Sequence, residues 1–117
     1  MRAFLLLLLL LAPAPAMATE ESAAHQVQFG LKVAQKGLWQ EARFRFERAV
    51  RLEPGNAAAL NDLAVALEQM GEFEQARQAY EKALQLKPGD LYIQQNYDLF
   101  READDKRNRK TRKKATP

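Results

Sequence analysis

The residue types that carry most protein chemistry are scarce in this chain. There is one histidine, His25, and no cysteine. A Ser/His or Cys/His nucleophile needs an imidazole beside it, and zinc sites draw on several His or Cys ligands, so neither chemistry is supplied. His25 falls at the start of an expected helix, where a solvated or end-capping place suits it. Carboxylates are more plentiful. Glu41, Glu47, Glu72, Glu74 and Glu81 fall on expected helix faces or turns, and Glu47 stands four residues before Arg51, the spacing of a surface ion pair. The glycines Gly30, Gly37, Gly55, Gly71 and Gly89 form no phosphate-cradling run. The expectation is a protein without catalytic site, metal or cofactor, which works through its surfaces.

One such surface is legible as charge. Lys106, Arg107, Arg109, Lys110, Arg112, Lys113 and Lys114 put seven basic residues into nine, with no apolar residue among them. The whole chain carries a formal charge of only +3, so the excess is concentrated here. Residues 105–117 are expected to be a disordered basic tail, since nothing in them can be buried. Its role is either solubility or weak attraction to an anionic surface such as phospholipid head groups, lipopolysaccharide or an acidic partner, which salt would screen. Nucleic acid would attract the tail as well. The opposite end of the chain argues against that partner.

Residues 1–18, MRAFLLLLLLLAPAPAMA, open on Arg2, continue through the apolar run Phe4–Leu11 and close on the small residues of Ala16-Met17-Ala18. This is the layout of a secretory signal peptide, cleaved after Ala18. The alternative is a retained anchor. About ten apolar residues at ~1.5 Å each make only ~15 Å of helix, half a hydrocarbon core. Export to a periplasm or beyond is the expectation, and no nucleic acid is expected there.

Between these ends one stretch occurs twice. LWQEARFRFERAVRLEPGN (38–56) and EFEQARQAYEKALQLKPGD (72–90) are 34 residues apart. They share Ala42/Ala76, Arg43/Arg77, Glu47/Glu81, Ala49/Ala83, Leu52/Leu86, Pro54/Pro88 and Gly55/Gly89. A fixed period of this size marks a repeat architecture. Ala42, Phe46, Ala49 and Val50 lie at i, i+4, i+7 and i+8, one stripe of a helix, and Ala76, Tyr80, Ala83 and Leu84 repeat it. Leu60, Leu63, Ala64 and Leu67 form the face of a preceding helix, with Phe29, Gly30 and Val33 in the matching places one period earlier. Trp39 and Phe73 are expected to pack between helices. Gly37 and Gly71 are placed to close one helix, and Pro-Gly the next. Ser22, Asn56 and Asp90 are placed to cap the helices that follow them. Helices are expected at 23–36, 39–52, 57–70, 73–86 and 90–104, an all-α chain.

These residues make the chain resemble the tetratricopeptide repeat (TPR) family. The period is 34. The large-small pair of the first helix appears as Phe29-Gly30 and Leu63-Ala64, and the small-aromatic-small pattern of the second as Ala42/Phe46/Ala49 and Ala76/Tyr80/Ala83. The closing prolines are Pro54 and Pro88. Gln26 departs from the pattern, standing where a large apolar residue is usual. The resemblance covers about residues 23–100. It implies an α-solenoid of two helix–turn–helix repeats (about 23–56 and 57–90) after a frayed 19–22. A capping helix at about 90–104 follows, in which Ile93, Tyr97 and Phe100 cover the second repeat while Asp98 and Arg101 meet water.

The resemblance also implies a concave face lined by the first helix of each repeat. Carried over, that face comprises Val27, Gln28 and Leu31, then Asn61, Asp62 and Val65, then Tyr92, Gln95, Asn96 and Leu99. Its amides suit an extended peptide backbone and its apolar groups the side chains of a protein partner. Val27, Leu31 and Asp62 stand where the family's carboxylate-binding variants hold Lys or Asn, so capture of a C-terminal carboxylate is not expected. Asn61→Ala with Asn96→Ala is expected to weaken binding while leaving stability unchanged. The alternative is a structural subunit, a homo-oligomer or part of a larger helical assembly, because two repeats make a short array.

Overall fold

The computed structural model describes residues 22–116. The expected signal peptide at 1–18 and the polar residues 19–21 lie outside the described residues. Five helices follow one another: α1 (Ala23–Gln35), α2 (Trp39–Leu52), α3 (Ala57–Gln69), α4 (Phe73–Leu86) and α5 (Leu91–Ala115). Among the described residues there is no strand.

The helix ends follow from local chemistry. The first backbone N–H groups of a helix have no partner within it. Ser22 accepts a hydrogen bond from the His25 N–H, Asn56 from Ala59 and Asp90 from Ile93, so α1, α3 and α5 each start on a side-chain cap. Helices α2 and α4 start on Leu38 and Glu72 without one, but carry Glu41 and Glu74 in their first turns, where a negative charge favours the positive end of the helix dipole. Gly37 and Gly71 sit at φ 75° and 78°, in the left-handed region that lets α1 and α3 turn back into their partners.

Alanines and rings then fit the hairpins together. Ala42, Ala49, Ala59, Ala64, Ala66, Ala76 and Ala83 have no exposed surface, so neighbouring helices approach closely there. Phe46, Tyr80 and Phe100 fill the spaces beside them. Trp39 and Phe73 lie half-buried between helices, as their places in the repeat require. Gly30 is explained by Phe46: a Cβ on residue 30 would lie 2.5 Å from the Phe46 ring, well inside van der Waals contact. The usual gain of about 1 kcal/mol from replacing a helical glycine by alanine is therefore out of reach here.

One expectation is corrected in α1, and one departure is explained. Phe29 is not a core residue like its counterpart Leu63. It is 37% exposed, with the Arg45 guanidinium 4.0 Å above its ring. Gln26 is buried in the apolar residue's place, its side-chain oxygen accepting from Arg45 at 3.4 Å. One arginine on α2 thus covers a ring and satisfies an amide, which lets a polar residue stand where the repeat pattern asks for an apolar one.

The larger correction concerns the C-terminus. Helix α5 does not stop near residue 104, and the basic stretch expected to be disordered is helical through Ala115. Ile93 and Phe100 are buried against the second hairpin, and Tyr80, Tyr97 and Phe100 form a ring cluster with centroids 5.4–6.4 Å apart. One turn later Asp104 is buried between two arginines, pairing with Arg77 of α4 and with Arg107 of its own helix. Arg107 in turn lies 3.5 Å above the Phe73 ring. These contacts anchor the helix at the point where its apolar face ends. Beyond them each residue extends an existing helix rather than nucleating one, and Lys and Arg extend helices well. Glu102 pairs with Lys106 at 3.0 Å, and the cations of the last turn face the negative end of the helix dipole. Charge pattern alone suggested disorder because the anchor is made by Asp104 and Arg107, two residues that look like parts of a solvated run. Among the described residues no helix is long and apolar enough to cross a membrane.

Candidate functional site

Helices α1, α2, α3 and α5 converge on a concave cavity of about 240 Å³. Leu31, Ala34 and Gln35 come from α1, Trp39 and Phe46 from α2, Asp62 and Val65 from α3, and Tyr92 from α5. Four expected groove residues, Leu31, Asp62, Val65 and Tyr92, therefore meet in one place. Phe46 reaches it because its buried ring is the floor between hairpins, and Trp39 because it opens α2 directly after the Gly37 turn.

The other six expected residues take different places. Asn61 is buried, and its side-chain oxygen accepts a hydrogen bond from the Asn96 amide at 3.1 Å, linking α3 to α5. Val27 is half-buried against Ala23, Ala49 and Ala59, so it supports the core. Gln28, Gln95 and Leu99 are exposed and lie outside the cavity lining. Trp39, Phe46, Ala34 and Gln35 were not read from the sequence as site residues. The two rings were explained as packing, and the signal that could have found them is the concavity formed where α2 meets the first helices.

The Asn61–Asn96 link means that replacing either asparagine alone strands the other, which the double variant avoids. A buried amide that loses its partner costs about 1–3 kcal/mol. The Asn61 amide nitrogen already lacks a hydrogen-bond partner among the described residues.

Asp62 is the other unusual group. Burial pushes its carboxyl up to about 6, and the neighbouring Asn61 side chain only partly opposes this. Across α3 and α4, the Tyr80 hydroxyl donates to Glu68 at 3.0 Å. Burial holds that phenol well above its ordinary range, and Glu68, Tyr92 and Asp62 reinforce the effect, so Tyr80 stays a neutral donor.

The Asp62 shift has a definite sign. A carboxyl whose pKa is higher in the folded state than in the unfolded one binds its proton preferentially in the folded state. Its unfavourable contribution is therefore full above about pH 6 and relieved as pH falls towards 3.8. We expect Asp62→Asn to stabilise the protein at pH 7.5 by ~1–2 kcal/mol, reduced from the full linkage value because the side chain keeps some contact with water. The gain should vanish near pH 4. Thermal melts of both forms across that range check this; an equal gain at both ends would mean that charge is not its cause.

The comparisons with known proteins bear on this fold directly. The tetratricopeptide repeat family profile matches residues 34–96, more than half of the chain. The chain belongs to the tetratricopeptide repeat family. Its match begins at the end of α1, after the Gln26 and Phe29 departures. Among solved structures it is similar to the crystal structure of MamA protein, with a TM-score of 0.67 and 28% sequence identity, covering 79% of this chain and 50% of that one. The chain thus spans about half the length of that protein. No curated protein matches the chain significantly. As a TPR protein it is an all-α solenoid built for protein–protein interaction, the general work of the family.

Proposed function

We propose that this TPR protein is a non-enzymatic adaptor in the bacterial cell envelope that holds an extended segment of a protein partner along its concave face. The observation that carries the reading is the convergence of four helices on one cavity with apolar walls, lined by the groove residues Leu31, Asp62, Val65 and Tyr92. Apolar walls of this kind seat the side chains of an extended segment. The signal-peptide pattern of residues 1–18 supports the location. The basic end of α5 extends beyond the core contacts with its cations exposed, which supports a salt-sensitive attachment to an anionic surface alongside the groove.

The test separates the groove from the fold. Leu31 and Tyr92 are exposed, so Leu31→Ser with Tyr92→Ala removes contact area without opening the core. Capture of the partner from envelope extracts by the double variant is expected to fall at least tenfold, with a melting temperature within a few degrees of wild type. Equal capture by both forms would place recognition elsewhere.

A further inference from the structure

The cavity described above has one property that an apolar peptide pocket does not need. Asp62 is half-buried in it, and no lysine or arginine of the described residues pairs with it. The buried carboxylate of the described core, Asp104, has two cations, Arg77 and Arg107. An unpaired carboxylate out of water is unfavourable unless something restores its partner. Around Asp62 stand Trp39, Phe46 and Tyr92, rings whose faces attract cations, with Leu31 and Val65 to receive an aliphatic stem. At about 240 Å³ the space is below the ~300 Å³ at which pockets for drug-sized ligands begin, and suits one long side chain.

We infer that the cavity seats a single cationic side chain of the bound partner, arginine before lysine, with Asp62 as its counter-ion and Trp39 and Tyr92 as its aromatic walls. This deepens the groove reading and rests on it. A planar guanidinium can stack on the rings and pair with the carboxylate at once, whereas an ammonium offers a point charge alone. The protein uses this chemistry twice elsewhere, with Arg45 4.0 Å above Phe29 and Arg107 3.5 Å above Phe73. The cavity offers the carboxylate and the rings without the arginine, which the partner supplies.

Trp39 is the only tryptophan, so its emission reports the cavity, together with the neighbouring surface of Leu38, Phe44 and Met70 that it also lines. The probes are acetylated, amidated hexapeptides in a positional library. Each position carries arginine, lysine, norleucine, glutamate or citrulline, the neutral shape analogue of arginine. At one position the arginine peptide is expected to shift Trp39 emission and to bind at least tenfold tighter than its citrulline form, with glutamate weakest. Asp62→Asn should reduce that ratio to under twofold. Leu31→Arg, which supplies a cation from within, should likewise remove the preference for arginine over citrulline. Equal binding of arginine, citrulline and norleucine, or an arginine preference that survives Asp62→Asn, overturns the cation assignment and leaves the groove standing. Silence of Trp39 to every peptide overturns the groove and this assignment together.

Discussion

Ala83→Glu is expected to leave the protein unfolded at 25 °C. Ala83 has no exposed surface and packs with Ala57, Leu60 and Ile93, where α3, α4 and α5 meet, with Val50 and Leu84 closing the sides. A glutamate there must bury a charge with no cation at hand and also force the helices apart. Overpacking alone costs about 1–3 kcal/mol and a desolvated carboxylate several more. A domain of this size is stabilised by only about 5–15 kcal/mol, and a short two-repeat array belongs at the low end. Ala64→Glu, against Leu67, Tyr80 and Phe100, should behave alike. Far-ultraviolet circular dichroism checks both. A helical spectrum with a cooperative melt near that of wild type would show that these alanines do not face neighbouring helices.

Phe100→Ala is expected to lower the melting temperature by ~15 °C or more and to release the end of the chain. Phe100 is fully buried, with its ring centroid 5.4 Å from Tyr80 and 6.4 Å from Tyr97. Truncating a buried phenylalanine costs about 3–5 kcal/mol, and in a domain of this length each kcal/mol is worth about 4–8 °C. Helix α5 depends on three buried residues, Ile93, Phe100 and Asp104. Loss of the middle one should loosen the Asp104 contacts with Arg77 and Arg107, and amide exchange over residues 101–115 should accelerate more than over α3. Uniform acceleration along the chain would mean that α5 has no separate anchor.

What could be read in the sequence, and what could not, divides along physical lines. The two hairpins were legible because their determinants are local and periodic: small residues spaced along a stripe, glycine where φ must be positive, caps at Asn56 and Asp90. The extent of α5 was not, because the contacts that fix it join Arg77 and Phe73 to Asp104 and Arg107 across the fold, and each of those residues has an ordinary reading alone. Phe29 is more exposed than its place in the repeat implies, and Gln26 stands buried in an apolar place, because Arg45 can serve both, a fact about three side chains on two helices that no spacing within α1 encodes. The concave face was read one helix at a time, from α1, α3 and α5. Leu31, Asp62, Val65 and Tyr92 come together as a result, but Trp39 and Phe46 of α2 were taken for packing alone. They line the cavity as well as supporting it.

The concave face is the centre of the functional account, and site-specific photocrosslinking tests it most directly. A photoreactive phenylalanine analogue would be placed at Leu31 or Tyr92, within the cavity lining, and at Glu74 or Lys82, exposed on α4, with adducts formed in intact cells and identified by mass spectrometry. The account predicts that both groove positions yield the same partner, joined through one short segment of it, while the α4 positions yield neither. The same adduct from Glu74 and Lys82, with none from Leu31 and Tyr92, would contradict it.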